Sequence, residues 1–164
     1  MNRYRNTQKI SFLASIPTAS IDAEADELTT KCKFNFAYFD HQPAGQSFSD
    51  WTDARLAKLL AKLHEYSKQP LQHWREMSIG KSGSVLSIYG AFPRSSDFEH
   101  PKHVPHEVQW GRFRLEHSLR LVGFVLPAAR HDVPHEKTKV RFDCNTFYVV
   151  FLDADHRFYK TEKA

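Results

Sequence analysis

Residues 110–126 read WGRFRLEHSLRLVGFVL, and their alternation restricts the fold more than any other stretch. Phe113, Leu115, Leu119 and Leu121 are apolar at odd positions, while Arg112, Arg114 and Arg120 are basic at even ones. A period of two marks a strand with one dry face. The stretch is too long for one ordinary strand, so a hairpin turning near His117 is expected. A three-residue loop, Glu116 to Ser118, sets Arg114 opposite Arg120 and gathers all three arginines on one face, with the leucines behind. A two-residue loop would send Arg120 to the opposite face.

The run TFYVVFL, residues 146–152, is apolar on both faces and predicts a central strand. It ends in the polar stretch DADHRFYK. Upstream, KFNFAYFD reads as an aromatic strand, followed by turn material. Residues 49–68, SDWTDARLAKLLAKLHEYSK, give the clearest helix. Leu56, Leu59, Leu60 and Leu63 recur at helical spacing, and Ser49 is the expected N-cap. Pro70 stops this helix and opens a second short one, PLQHWREM. SVLSIYGAF holds a further strand. Residues 78–107 and 127–142 carry prolines without apolar periodicity and read as irregular insertions. In residues 1–30, ISFLASIP suggests a short strand and IDAEADEL a short helix or acidic loop. The expectation is an α+β domain over the whole chain, with an antiparallel sheet, a helix pair on one face and an N-terminal extension.

The chain has 164 residues, 41% of them apolar and 13% aromatic, which suffices for one packed core. Its formal charge of +4 is compatible with a polyanionic partner. With only two cysteines, Cys32 and Cys144, it has no disulfide framework. No stretch approaches a transmembrane helix, and the apolar part of the N-terminus is too short for a signal peptide. A soluble, cytoplasmic protein is expected.

Several motifs invite chemistry and fail on context. GKSGS at Gly80 has the end of a phosphate-binding loop, but Arg75 stands where that loop needs glycine, so a turn is the better reading. FLDADH resembles the strand-then-DxD opening of haloacid-dehalogenase-type phosphotransferases. Only nine residues follow Asp155, too few for the rest of such a site. Asp153 and Asp155 then read as a strand-end turn, with a metal-dependent phosphoesterase built on them and His156 as the weaker idea. His100, His103 and His106, like His131 and His135, lie beside prolines, which argue against helical metal-ligand spacing. Neither a metal nor another cofactor is expected.

The arginines carry a sharper reading. Three guanidinium groups on a rigid sheet form a strip of forked, permanently charged phosphate donors. The plainer reading is a solvated sheet face. His156, Arg157 and Tyr159 converge on the same strip if the last strand neighbours the hairpin. Histidine supplies acid or base near neutral pH, arginine stabilises charge building on phosphate, and tyrosine stacks on a base or holds a phosphate oxygen.

On the residues RFRL, SLRLVGFVL and TFYVVFLDADHRFYK, the C-terminal third resembles the RelE/YoeB family of bacterial toxin endoribonucleases. The helix pair before the sheet fits that family's strand-helix-helix-sheet order. The resemblance implies that Arg112 and Arg114 hold the basic strand positions and bind RNA. It implies that Arg120 is the phosphate-binding arginine, Arg157 the late arginine and Tyr159 the late tyrosine. This chain departs from the pattern in its N-terminal extension, in its long insertion and in having arginines where lysines are common, which leaves proton transfer to His156. The implied reaction is metal-independent RNA cleavage by a 2′-hydroxyl, on ribosome-bound messenger RNA, with an antitoxin protein as silencing partner. The alternative is a non-catalytic module that grips RNA or a protein with the same basic face.

Overall fold

The computed structural model describes residues 6–16, 20–22 and 27–160. The chain divides into two compact units, Met1–Thr30 and Lys31–Ala164. In the first unit, α1 (Thr7–Ser15) occupies the stretch that the sequence suggests as a strand. Asn6 causes the difference, because its side chain accepts from the Lys9 amide at 3.1 Å and caps a helix. Ile10, Phe12, Leu13 and Ile16 are all exposed on this unit. Residues 23–26 of the acidic segment lie outside the described residues; Leu28–Thr30 form a single 3-10 turn. No helix among the described residues is long and apolar enough to cross a membrane.

The second unit is an α+β fold. Its order is β1 (Lys33–Asn35), α2 (Asp53–Tyr66), α3 (Leu71–Glu76), a small hairpin of β2 (Ser78–Ile79) and β3 (Gly83–Ser84), then β4 (Leu86–Gly90), β5 (Gln109–Arg114), β6 (Arg120–Val125) and β7 (Thr146–Asp153). Five strands form one sheet in the order β1-β7-β6-β5-β4. β1 runs parallel to β7 and the other pairs are antiparallel, so the sheet is mixed rather than wholly antiparallel as expected. The chain leaves β1 through α2 and α3, re-enters the sheet at the opposite edge as β4, and reaches β7, the parallel neighbour of β1, only after β5 and β6. β1 is also shorter than its aromatic sequence suggests. Asn35 ends it by accepting from the Ala37 amide at 2.8 Å, an Asx turn.

Two expectations about α2 need correction. Its cap is Thr52, which accepts from the Arg55 amide, while Ser47 caps a preceding one-turn 3-10 helix, Phe48–Asp50, through a reciprocal box with Asp50. Leu60 lies 65% exposed; Leu59 and Tyr66 are buried, with Leu56 and Leu63 partly so. α3 follows Pro70, and Asn145 accepts from its first amide, that of Leu71. Residues 80–82 of GKSGS form the turn of the β2–β3 hairpin, and Gly83 and Ser84 are β3.

Both faces of the main sheet are covered. On one, Leu59, Tyr66, Leu71 and Trp74 of the helices pack against Leu86, Phe113, Leu121 and Phe147. On the other, the irregular segment 91–108 and the chain end supply Phe98, Val104, Val108 and Phe158, which pack against Trp110, Val122, Phe124 and Phe151. The segment read as an irregular insertion is therefore a second covering layer. β7 lies between β1 and β6, buried on both faces, and a bulge resets its alternation. Val122 pairs with Phe151 and Gly123 with Val149, which leaves Val150 as the extra residue. Its carbonyl accepts from the Asp40 amide at 2.9 Å.

Gly123 is what lets β6 and β7 approach at this bulge. A Cβ there would lie 2.0 Å from the Tyr148 carbonyl oxygen. Gly123→Ala is expected to lower stability by at least about 2 kcal/mol, read as a fall in the urea midpoint. An unchanged midpoint would refute this account of the strand contact.

Candidate phosphate-binding site

The hairpin adopts the three-residue loop. Arg114 pairs with Arg120 and Phe113 with Leu121, while the Leu115 amide donates to Leu119. His117 takes φ +40 at the loop, and Ser118 donates to the Ala154 carbonyl at 2.5 Å. Arg112, Arg114 and Arg120 therefore share the sheet face of Trp110 and Val122, beyond the end of its aromatic layer. Arg120 also sits opposite Asp153 in the β6–β7 ladder.

Arg120 is 1% exposed. Its Nη1 donates to the carbonyls of His117 at 2.6 Å and Leu119 at 2.8 Å, which ties it into its own hairpin loop. Its Nη2 lies 2.8 Å from Nε2 of His156. A guanidinium has only donors, so Nε2 is the acceptor and His156 carries its proton on Nδ1. The Arg120 Nε is buried with no partner among the described residues. Burial, with the Arg112 and Arg114 charges beside it, pushes the Arg120 pKa down to about 10, so the group still carries its charge at neutral pH. Burial and then the Arg120 charge hold the His156 pKa below its usual value, which favours the neutral ring.

Arg112 is half-buried. Its Nε donates to the Tyr89 hydroxyl, and its guanidinium carbon lies 6.0 Å from the centroid of that ring. Tyr89 in turn stacks on Tyr159 at 4.3 Å and 3°. The Tyr159 ring, 40% exposed, ends this aromatic pair at the surface. Arg114 is also half-buried, and its carbonyl accepts from the Tyr66 hydroxyl. Among the described residues, none of the three arginines is ion-paired to a carboxylate.

Asp153 positions the end of the chain. Buried at 1% exposure, its Oδ1 accepts from the amides of Asp155 at 3.2 Å and Arg157 at 3.0 Å, and its Oδ2 from that of Phe158 at 2.9 Å. These bonds fold residues 154–158 back over the sheet, with His156 in the left-handed region at φ +61. Phe158, fully buried, anchors the turn among Trp110, Phe92, Phe98 and Phe151. The DxD pair is thus a structural turn, and among the described residues no three His, Cys, Asp or Glu side chains gather as metal ligands.

The structure brings Arg112, Arg114, Arg120, His156 and Tyr159 to one end of the sheet. It does not bring Arg157 there: that side chain bonds Asp97 at 3.0 Å, which also takes Lys160, and so pins the chain end to the covering segment. The histidine-rich loop packs internally. His100 stacks on His106 at 4.3 Å, and His103 meets the Tyr38 ring and carbonyl. Tyr89 is the residue that sequence reasoning missed. Ser87 of the same strand pairs with Arg112, but Tyr89 is the extra residue of a bulge between Ile88 and Gly90, so alternation along the strand gave no sure signal for it. Comparison with protein-family models gave no match, and comparisons with curated proteins and with solved structures gave none either.

Two measurements check this geometry. Asp153→Ala leaves three amides without their acceptor and is expected to cost about 3 kcal/mol, with faster hydrogen exchange at Asp155, Arg157 and Phe158. Exchange rates unchanged at these amides would contradict the assigned role. For His156, the folded pKa is lowered from 6.5, so the related stability is present above that value and is lost as pH falls through the lower folded value. Wild-type protein should therefore lose more stability between about pH 8 and about pH 5 than His156→Ala does. Equal losses would show that burial and the Arg120 charge do not hold the imidazole neutral.

Proposed function

We propose that this chain is a metal-independent endoribonuclease of RelE-like type, which binds the RNA backbone on the Arg112–Arg114 face and uses His156 for proton transfer. The observation that carries the reading is the cluster of three arginines without a carboxylate partner. Like charges held together in a fold cost stability unless something else compensates them, and a phosphate chain is the natural complement. The order of β1, two helices and then the meander from β4 to β7 supports the RelE-like frame. Tyr159, stacked on Tyr89 at the rim, offers a platform for an unpaired base. Two clefts, of about 390 and 420 Å³, both reach His117; the second is lined in part by Arg114, and the first by Arg55 and Lys58 together with Glu116 and Asp155.

In the proposed reaction a ribose 2′-oxygen forms a bond to the adjacent phosphorus, and the bond from phosphorus to the 5′-oxygen breaks. The 2′-hydroxyl proton leaves and the departing 5′-oxygen takes one up; His156 performs one of these transfers and water the other. Arg112 and Arg114 stabilise the additional negative charge of the transition state. A messenger RNA substrate and a silencing antitoxin belong to the same reading.

A second reading, RNA binding without cleavage, is favoured by one contact: Arg120 occupies Nε2 of His156 in the resting structure. The test is incubation of purified protein with RNA in excess EDTA. Cleavage to 2′,3′-cyclic ends, slowed about a hundredfold by Arg114→Ala and by His156→Ala, is expected. RNA that is retained on the protein but stays intact would overturn the nuclease and leave the binding module.

A further inference from the structure

We propose that Arg120 is a two-pronged oxyanion site, occupied at rest by His156, and that a phosphate group displaces the imidazole to bind there. The proposal deepens the phosphate-binding reading of this face and rests on it. Its basis is the division of labour among the donors of one guanidinium. Nη1 is committed to two carbonyls of the hairpin loop. Nε and Nη2 point along the other edge, the edge that takes two oxygens of a carboxylate or phosphate side by side. Here that edge meets one acceptor atom only. Nη2 reaches His156 Nε2, and Nε, buried, has no hydrogen-bond partner among the described residues. An imidazole nitrogen satisfies half of the edge; two phosphate oxygens satisfy all of it.

The surroundings favour the exchange. Arg112 and Arg114 bring further positive charge to Arg120, and Tyr89 lies on the same side. Asp153, although opposite in the ladder, spends its carboxylate oxygens on backbone amides. His156 itself is exposed and sits on a turn held by those amide bonds, so its ring can leave Arg120 without unfolding the turn. The groups facing the ring are Arg120 from β6, Arg112 and Arg114 from β5 and Asp153 from β7. Protonation of His156 removes the lone pair that Arg120 binds and sets two cations side by side, so acid opens the site as well. Displacement by phosphate also returns the Nε2 lone pair to proton transfer at the phosphate that displaced it. Arg120 would therefore be a phosphate ligand and, at rest, a lock on the general base or acid.

Sulfate is the probe, because its charge stays constant from about pH 8 to about pH 5, whereas phosphate takes up a proton in that range. It is titrated at constant ionic strength while the Arg120 Nε–H and His156 ring signals are followed by NMR. Sulfate should shift the Arg120 Nε–H and release the His156 ring. His156→Ala should bind sulfate about tenfold tighter at about pH 8 and lose most of the pH dependence. Arg120→Lys, which keeps charge but loses the fork, should bind weakly. Because that variant can fail to fold, the exposed His156 position carries the decision. An undisturbed Arg120 signal, or His156→Ala binding no tighter than wild type, overturns the proposal. Sulfate binding at Arg120 without any RNA binding would keep the oxyanion site and reject the RNA reading; RNA cleavage with Arg120 untouched by sulfate would do the reverse.

Discussion

A buried guanidinium that is ion-paired to no carboxylate among the described residues governs the end of the sheet where β5 and β7 finish and β6 begins. Transferring a charge out of water is costly unless hydrogen bonds and counter-charges replace the lost hydration. Arg120 receives two backbone carbonyls and one imidazole, and one of its donors remains unpaired. Asp153, across the strand pair, acts on Arg120 through its charge alone, because its carboxylate oxygens accept from backbone amides. That allocation leaves net positive charge on a rigid face. It also makes the hairpin loop and the chain end mutually dependent, because Arg120 grips one through carbonyls and the other through His156.

The remainder of the fold serves to hold this end in place. The helix pair covers one face of the sheet, and Tyr66 reaches through to the Arg114 carbonyl. The segment 91–108 covers the lower part of the other face with a dense aromatic layer, and Asp97 fastens the chain end through Arg157 and Lys160. Phe158 is the buried plug of that layer, flanked by the exposed or half-exposed Arg157 and Tyr159. One short stretch after β7 therefore alternates between anchoring and presenting: Asp153 and Phe158 anchor, while His156 and Tyr159 are presented.

How much of this was legible in the sequence depended on range. The hairpin was legible because the period-two pattern and a three-residue loop fix each other, and Arg114 meets Arg120 as that register requires. β7 was legible as a central strand from its two-sided apolarity, but its bulge was not, since any of its β-branched or aromatic residues can be the extra one. The parallel pairing of β1 was hidden because three residues carry no directional signal. The role of residues 91–108 was missed for a physical reason: a covering layer built from irregular chain needs buried aromatics but no period. Arg157 read as a site residue because it matches the late arginine of the resemblance, yet successive side chains in a tight turn point apart, and its partner Asp97 lies sixty residues away in sequence. Arg120 was legible as a member of the arginine face by position; that it is buried, and capped by a histidine, follows only from the folded turn.

The central claim is that the three arginines, none ion-paired to a carboxylate among the described residues, are complementary to a phosphate backbone. The most direct measurement is the salt dependence of RNA binding. Three phosphate contacts to a single strand predict that the logarithm of the binding constant falls against that of salt concentration with a slope of about −2, and that each arginine replaced by alanine reduces the slope by about 0.7. Binding that does not change with salt, or a slope unaltered in the Arg112→Ala and Arg114→Ala variants, would contradict it.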